Sequence, residues 1–180
     1  MITQQNLKEV LEILGFEKLD SKKANIYTKT INSYIMQVDF TNQKLIYPQG
    51  IKKHDATTSN FSHPENFVVF ECVHRLLEQG YKVESLELEK TWKLGHTGKS
   101  GRADITIYKE TQDKKEKFVY VIIECKTAGK NMIKIVNITK QNKIYLQMKR
   151  AISSLATPLK LEVSSGLCCM KVILMKAQKA

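Results

Sequence analysis

The 180-residue sequence has few of the features that build zinc sites, disulfide frameworks or membrane spans. Its four cysteines form no Cys-x-x-Cys pair, so no zinc site is expected, and Cys72 and Cys125 are predicted to be buried thiols because their neighbours are apolar. No apolar run approaches the roughly 20 residues that a membrane-spanning helix requires. The first residues are polar and do not resemble a signal peptide, so we expect a protein of the reducing cytoplasm.

Acidic residues are scarce compared with basic ones. The chain has 29 Lys and Arg but only 18 Asp and Glu, which gives a formal net charge of +11. Such a surplus favours a polyanionic partner, either nucleic acid or an acidic membrane surface, although a solvated basic surface without a partner is also compatible with it. The length suits a single domain with a substantial core.

The spacing of apolar residues predicts an α/β fold. A first helix is expected to end at Gly15, and a second to run from Pro64 to Gln79 with an apolar stripe that includes Cys72. His74 is expected on a flank of this second helix, and no metal role is expected for it, for His63 or for His96. The predicted strands span 25–31, 33–40, 44–47, 82–88, 103–108 and 118–125, and loops are predicted over 48–63 and 95–102.

The most informative segment is the predicted hairpin over residues 101–126. Asp104 lies near the start of its first strand, whereas Glu124 and Lys126 end the second, so an antiparallel hairpin brings the three together. Two carboxylates at close range repel each other unless a cation lies between them, and oxygen ligands suit Mg²⁺ or Mn²⁺. A lysine beside such a metal can orient a water. The alternative is an edge hairpin whose charged residues are simply solvated.

Several ordered motifs in this part of the chain resemble one family. The motif strings are Gly101-Arg-Ala-Asp104-Ile, Ile122-Ile-Glu124-Cys-Lys126-Thr-Ala-Gly129, a helix containing Pro64-Glu65 that ends at Gly80-Tyr81, Leu86-Glu-Leu-Glu89 and Leu94-Gly95-His96. Together they resemble the PD-(D/E)xK nuclease core. More narrowly, they resemble the nuclease domain at the N terminus of type I restriction enzyme subunits and of related nuclease–methylase fusions. The resemblance covers about residues 60–129.

This resemblance implies a restriction-endonuclease-like core, with a mixed central sheet flanked by helices, preceded here by an N-terminal helix and strands. It implies Mg²⁺-dependent hydrolysis of double-stranded DNA, with Mn²⁺ as a possible substitute. Asp104 and Glu124 would hold the metal, and Lys126 would position or polarise the attacking water. The resemblance also places a helix glutamate at the site, and helical geometry favours Glu65 over Glu71.

Other residues are expected to contact DNA rather than to react. Lys99 and Arg102 are predicted to touch phosphates near the site. Gln147 would stand at the glutamine of the family's Gln-x-x-x-Tyr helix, although Ala151 then replaces the tyrosine. Gly98-Lys99-Ser100 is not predicted to be a P-loop, because it lacks the upstream glycine and precedes a strand. With neither a Walker motif nor an Asn-Pro-Pro-Tyr segment, the chain is expected to have no ATP or S-adenosylmethionine site.

The sequence departs from the family pattern after Gly129. Glu162 is the only acidic residue from there to the C terminus. One hypothesis is a frame change or truncation in the gene near residue 130. The other is divergence, in which Leu159–Val163 and Leu167–Leu174 are closing strands. The sequence therefore predicts a DNA-cutting domain that works with other restriction–modification subunits or domains. An inactive DNA-binding or assembly remnant is the main alternative, and a protein that binds RNA or a membrane surface is a third.

Overall fold

The computed structural model describes residues 2–19, 25–94, 99–111, 113, 116–127 and 169–174. Within these residues are two α-helices and nine β-strands, which form a four-stranded sheet and a five-stranded sheet. The predicted α/β fold is confirmed.

The N-terminal part of the chain forms the four-stranded sheet. The elements are α1 (Leu7–Ile13), β1 (Glu17–Lys18), β2 (Ile26–Ile31), β3 (Tyr34–Asp39) and β4 (Lys44–Ile46). The strands pair in chain order and every pair is antiparallel. The three strands predicted in this region are confirmed to within one residue at each end, because the turns that separate them, at residues 32–33 and 40–43, consist mostly of polar turn-forming residues.

The second helix, α2 (Pro64–Glu78), was predicted to within one residue. It contacts β2 of the four-stranded sheet and the strand Lys117–Lys126 of the five-stranded sheet, so both sheets cover it. Its buried apolar residues are Phe67, Val68, Val69, Phe70, Cys72, Val73, Leu76 and Leu77. The prediction that His74 lies on a flank is wrong: its side chain is 1% exposed. The first sheet covers this side of α2, and Lys29 of β2 contacts the His74 ring.

The five-stranded sheet carries the predicted hairpin. Its strands are β5 (Lys52–Lys53), β6 (Leu86–Leu94), β7 (Lys99–Glu110), β8 (Lys117–Lys126) and β9 (Cys169–Leu174). They are ordered β5-β6-β7-β8-β9, with β5 parallel to β6 and the other neighbours antiparallel. The prediction of a mixed sheet is therefore confirmed.

Several boundaries in this sheet differ from the prediction. β5 lies within residues 48–63, which were expected to be a loop, and β6 and β7 extend past the predicted ends at residues 88 and 108. β6 begins at Leu86 rather than at residue 82, because residues 83–85 form a 3₁₀ turn. β7 begins at Lys99, so residues 99–102 are strand, whereas the predicted loop ran from 95 to 102. Pairing between Leu94 and Lys99 at the end of the β6–β7 ladder overrides the loop-like composition of these residues.

The strand β9 closes one edge of this sheet. It pairs with β8 from Lys126↔Cys169 to Val121↔Leu174. The closing strand predicted within Leu167–Leu174 is thereby confirmed. The strand predicted at Leu159–Val163 lies outside the described residues.

Candidate active site

The candidate site lies where two central strands of the five-stranded sheet separate. β7 and β8 pair up to Ile105↔Ile123, and the ladder ends there, one step before Asp104 and Glu124. Beyond this point β7 continues beside β6, and β8 continues beside β9. Asp104 Oδ2 accepts a hydrogen bond from the Cys125 amide at 2.5 Å, in place of a backbone carbonyl. We call the site at this separation of β7 and β8, which contains Asp104, Glu124 and Lys126, the fork.

Lys126 connects the second strand of the fork with α2. Its Nζ lies 2.8 Å from Glu124 Oε1 and 3.5 Å from Glu65 Oε1. Glu124 and Lys126 are two residues apart on β8, so their side chains project from the same face. Glu65 is in the first turn of α2 and reaches the fork from the end of that helix. The structure thus brings together the four residues expected at the site: Asp104, Glu124, Lys126 and Glu65.

Glu71, the alternative candidate on α2, lies away from the site. Glu71 is buried and forms an ion pair with Arg75 one turn further along the helix. Its position follows from helical geometry, because six residues turn the side chain well away from the direction of Glu65. Of the two glutamates, Glu65 is the one in contact with Lys126.

The surroundings of the Asp104 carboxyl raise its pKa. Burial raises its pKa, the hydrogen bond from the Cys125 amide opposes this, and the charges of Glu124 and Glu65 raise the pKa further against the attraction of Lys126. A raised pKa means that the ionised carboxylate is less stable here than in water. A cation bound between Asp104 and Glu124 would remove this penalty.

Lys126 is held in its protonated form. Burial lowers its pKa, but the hydrogen bond and charge of Glu124, with the charges of Asp104 and Glu65, outweigh burial and raise the pKa overall. A protonated lysine cannot accept a proton from water at neutral pH. Its ammonium group can instead donate hydrogen bonds to a water or to a phosphoryl oxygen.

The donor set at the fork suits a hard divalent cation with few protein ligands. Asp104 and Glu124 supply carboxylate oxygens, which Mg²⁺ and Mn²⁺ prefer. In the part of the chain that the structure describes, no three Asp, Glu, His or Cys side chains are grouped closely enough to hold a metal by themselves. Mg²⁺ commonly binds through one or two carboxylates and completes its coordination with water and substrate phosphate, so two carboxylates fit it.

Of the three residues expected to contact DNA, the structure describes the side chain of Arg102 but not those of Lys99 and Gln147. Arg102 Nε lies 2.7 Å from Glu89 Oε2, and its Nη1 lies 3.6 Å from Asp55 Oδ2. Lys99 begins β7, but its side chain is outside what the structure describes. Gln147 lies outside the described residues altogether, as does His96.

Glu89 is the residue near the fork that sequence reasoning missed. It is buried on β6, where burial raises its pKa, Arg102 lowers it, and Asp104, Asp55 and Glu124 raise it further. The Leu86-Glu-Leu-Glu89 alternation predicts a glutamate that faces solvent, so composition gave no sign of its burial. The sequence feature that could have identified Glu89 is its position on the predicted strand that precedes the strand of Asp104.

Neither of the two helices in the described part of the chain has the length and hydrophobicity of a membrane-spanning segment. Comparison with curated proteins and with solved structures gives no match. A family model described as type I restriction enzyme R protein N terminus matches residues 64–170, which is more than half of the chain and includes the whole site. This match extends past Gly129, into the segment where the sequence departs from the family pattern. The frame change near residue 130 remains a prediction. The chain therefore belongs to the family of type I restriction enzyme R protein N termini.

Proposed function

We propose that this chain is a metal-dependent DNA endonuclease domain of a type I-like restriction–modification system. The observation that carries the proposal is the convergence of Asp104, Glu124 and Lys126 at the fork. Membership of the R protein family supplies the restriction context. The order Asp…Glu-x-Lys on two adjacent strands is the arrangement that the resemblance to PD-(D/E)xK nucleases implies.

Each residue of the fork has a role that its chemistry supports. Asp104 and Glu124 would hold Mg²⁺, or Mn²⁺ in its place, which when bound supplies a Lewis acid for a phosphodiester oxygen and for the attacking water. Lys126 donates hydrogen bonds that orient this water and stabilise negative charge on the phosphoryl group. Glu65 holds the Lys126 ammonium from the other side and so fixes its position.

The net charge of +11 supports double-stranded DNA as the substrate, because Lys and Arg neutralise phosphates without reading bases. We propose that sequence recognition, ATP use and methylation belong to other subunits or domains of the system, which acts in the cytoplasm. Cleavage by this chain alone should then be weak and indifferent to sequence.

Nicking of supercoiled plasmid tests the proposal directly. The chain should nick in Mg²⁺ or Mn²⁺ and not in EDTA, and Asp104→Ala and Glu124→Ala should each abolish nicking while circular dichroism shows a retained fold. A wild-type nicking rate in either variant would contradict the proposal. Fragments from unrelated plasmids that share one short site would instead show that the chain reads sequence.

The second candidate is an inactive DNA-binding or assembly remnant of such an enzyme. The basic charge favours it as well, because charge alone produces binding without chemistry. It predicts salt-dependent, sequence-indifferent DNA binding with no nicking in either metal. The plasmid experiment therefore separates the two functions in one comparison.

A further inference from the structure

Glu89 has a backbone conformation that is unusual for its residue type. Its φ is +57°, in the left-handed region that residues other than glycine rarely adopt. The pairs Leu88↔Ile105 and Lys90↔Ala103 on either side keep the register, so Glu89 lies directly opposite Asp104. Strained backbone persists only where its surroundings impose it, and such positions are concentrated at functional sites. The strain here lies one strand away from the fork.

The ion pair between Glu89 and Arg102 is asymmetric. The Glu89 side chain is 5% exposed, whereas the Arg102 side chain is 55% exposed. Burying a carboxylate is costly without a cation, and Arg102 provides that cation: its Nε lies 2.7 Å from Glu89 Oε2, as an ion pair without a hydrogen bond to that oxygen. The charge of Glu89 thus holds the guanidinium beside β6, and much of the Arg102 side chain remains open to solvent.

The sequence position of Arg102 places this guanidinium next to the fork. Arg102 and Asp104 are two residues apart on β7, so they share a face of the strand. Only Asp55 Oδ2, at 3.6 Å, approaches the outer part of the guanidinium among the ion pairs of the described residues. A planar guanidinium on a side chain that is 55% exposed can match a phosphate group in shape and charge.

We propose that Glu89 is a positioning residue, which holds Arg102 so that its outward N–H groups bind a phosphate of the DNA beside the bond that is cut. The inference rests on the proposed function, and it assigns the substrate-contacting role to Arg102 and the orienting role to Glu89. We call these two residues the Glu89–Arg102 pair.

A role for Glu89 as a third metal ligand fits the structure less well. Its Oε2 atom is already 2.7 Å from Arg102 Nε. Among the described residues no three potential ligands form a group that could hold a metal. The two roles predict different losses, since a ligand affects metal binding and a positioning residue affects DNA binding.

The test measures binding of a labelled DNA duplex by fluorescence anisotropy in EDTA, with the full chain. Glu89→Gln removes a negative charge, so charge alone would tighten binding. Loss of positioning should instead weaken it roughly tenfold, the order expected for one phosphate-binding side chain. Arg102→Ala should weaken binding by a similar factor. The double variant should bind no more weakly than Arg102→Ala alone, because Glu89 acts through Arg102.

Glu87→Gln is the matched control. It makes the same charge change two residues away on β6, where Glu87 contacts Lys90 at 3.0 Å and His54 at 2.9 Å instead of Arg102. It should bind DNA as tightly as the wild type or slightly more tightly. Glu89→Gly separates positioning from folding, because glycine accepts φ of +57° without strain. Its melting temperature should equal or exceed that of the wild type while its DNA binding is weakened.

The proposal is overturned if Glu89→Gln binds DNA as tightly as the wild type or more tightly, or if the losses in the double variant add. Loss of Mg²⁺ affinity with unchanged DNA affinity would make Glu89 a metal ligand instead. Neither readout requires cleavage. A wild-type chain that binds duplex without cutting it contradicts the proposed function alone, and a Glu89→Gln chain that binds and cuts normally contradicts the Glu89–Arg102 pair alone.

Discussion

His74 is a buried base that its surroundings keep neutral. Its pKa is lowered from 6.5 to about 4, mainly by burial. The charge of Glu78 opposes this shift, and the charges of Lys29 and Arg75 add to it. The His74 Nε2 atom lies 2.8 Å from Lys29 Nζ. The ammonium of Lys29 can donate to Nε2 only while that nitrogen carries no proton, so the contact itself requires neutral histidine.

This arrangement predicts that the protein loses stability in mild acid. The unfolded chain protonates His74 near pH 6.5 and the folded chain only near pH 4, so unfolding takes up a proton between these values. Above pH 6.5 the histidine has no effect; as pH falls toward 4, it should lower the free energy of unfolding by up to about 3 kcal/mol. Urea unfolding at pH 7, 5.5 and 4.5 measures this loss.

The control for this prediction is His74→Gln, which does not titrate but retains an oxygen that can accept from Lys29. Its stability should fall less between pH 7 and 4.5 than that of the wild type. An equal fall in both proteins would mean that other groups cause the acid sensitivity.

At the scale of elements, the β2–β3 hairpin is tied to the C-terminal end of α2. The two turn residues, Asn32 and Ser33, have φ of 48° and 73°, which matches the type I′ turn that favours tightly twisted hairpins. Asn32 Nδ2 also donates to the Leu77 carbonyl at 2.8 Å, one of the carbonyls near the helix end. Asparagine suits both tasks, because it tolerates the left-handed region and carries an amide donor.

Two substitutions in this turn should act in opposite directions. Asn32→Ala removes the bond to Leu77 and places alanine in a strained conformation, so it should destabilise the fold by about 1–3 kcal/mol. Ser33→Gly relieves strain at φ of 73° and should be neutral or stabilising by up to about 1 kcal/mol. Thermal melting of both variants measures this, and an Asn32→Ala protein as stable as the wild type would contradict the proposed tie.

Elements with a strong local signal were predictable from the sequence. Pro64, the apolar spacing of α2 and Gly80 define that helix locally, and the apolar run before Glu124 defines β8. The hairpin geometry then brings Asp104 to Glu124 and Lys126 without further information. The burial of His74 depends on the first sheet, which is distant in the sequence, and the extension of β7 to Lys99 depends on pairing with β6; composition reports neither, nor the burial of Glu89.

At the scale of the whole molecule, the fork joins carboxylates that are far apart in the unfolded chain. A metal that bridges Asp104 and Glu124 should therefore bind the folded state and stabilise it. Millimolar Mg²⁺ should raise the melting temperature of the wild type, and the shift should shrink in Glu124→Gln. Glu87→Gln should retain the full shift. Equal shifts in all three proteins would place the metal elsewhere.

The central claim is that the fork hydrolyses DNA, and Lys126 tests it most directly because its ammonium contacts Glu124 and has a proposed role in orienting the attacking water. The measurement compares plasmid nicking rates in Mg²⁺ for Lys126→Ala and for Lys117→Ala. Lys117 lies on the same strand, β8, but at its other end, where it contacts Glu110. We predict that Lys126→Ala abolishes nicking and that Lys117→Ala retains it. A Lys126→Ala protein that nicks at the wild-type rate would contradict the assignment of this site.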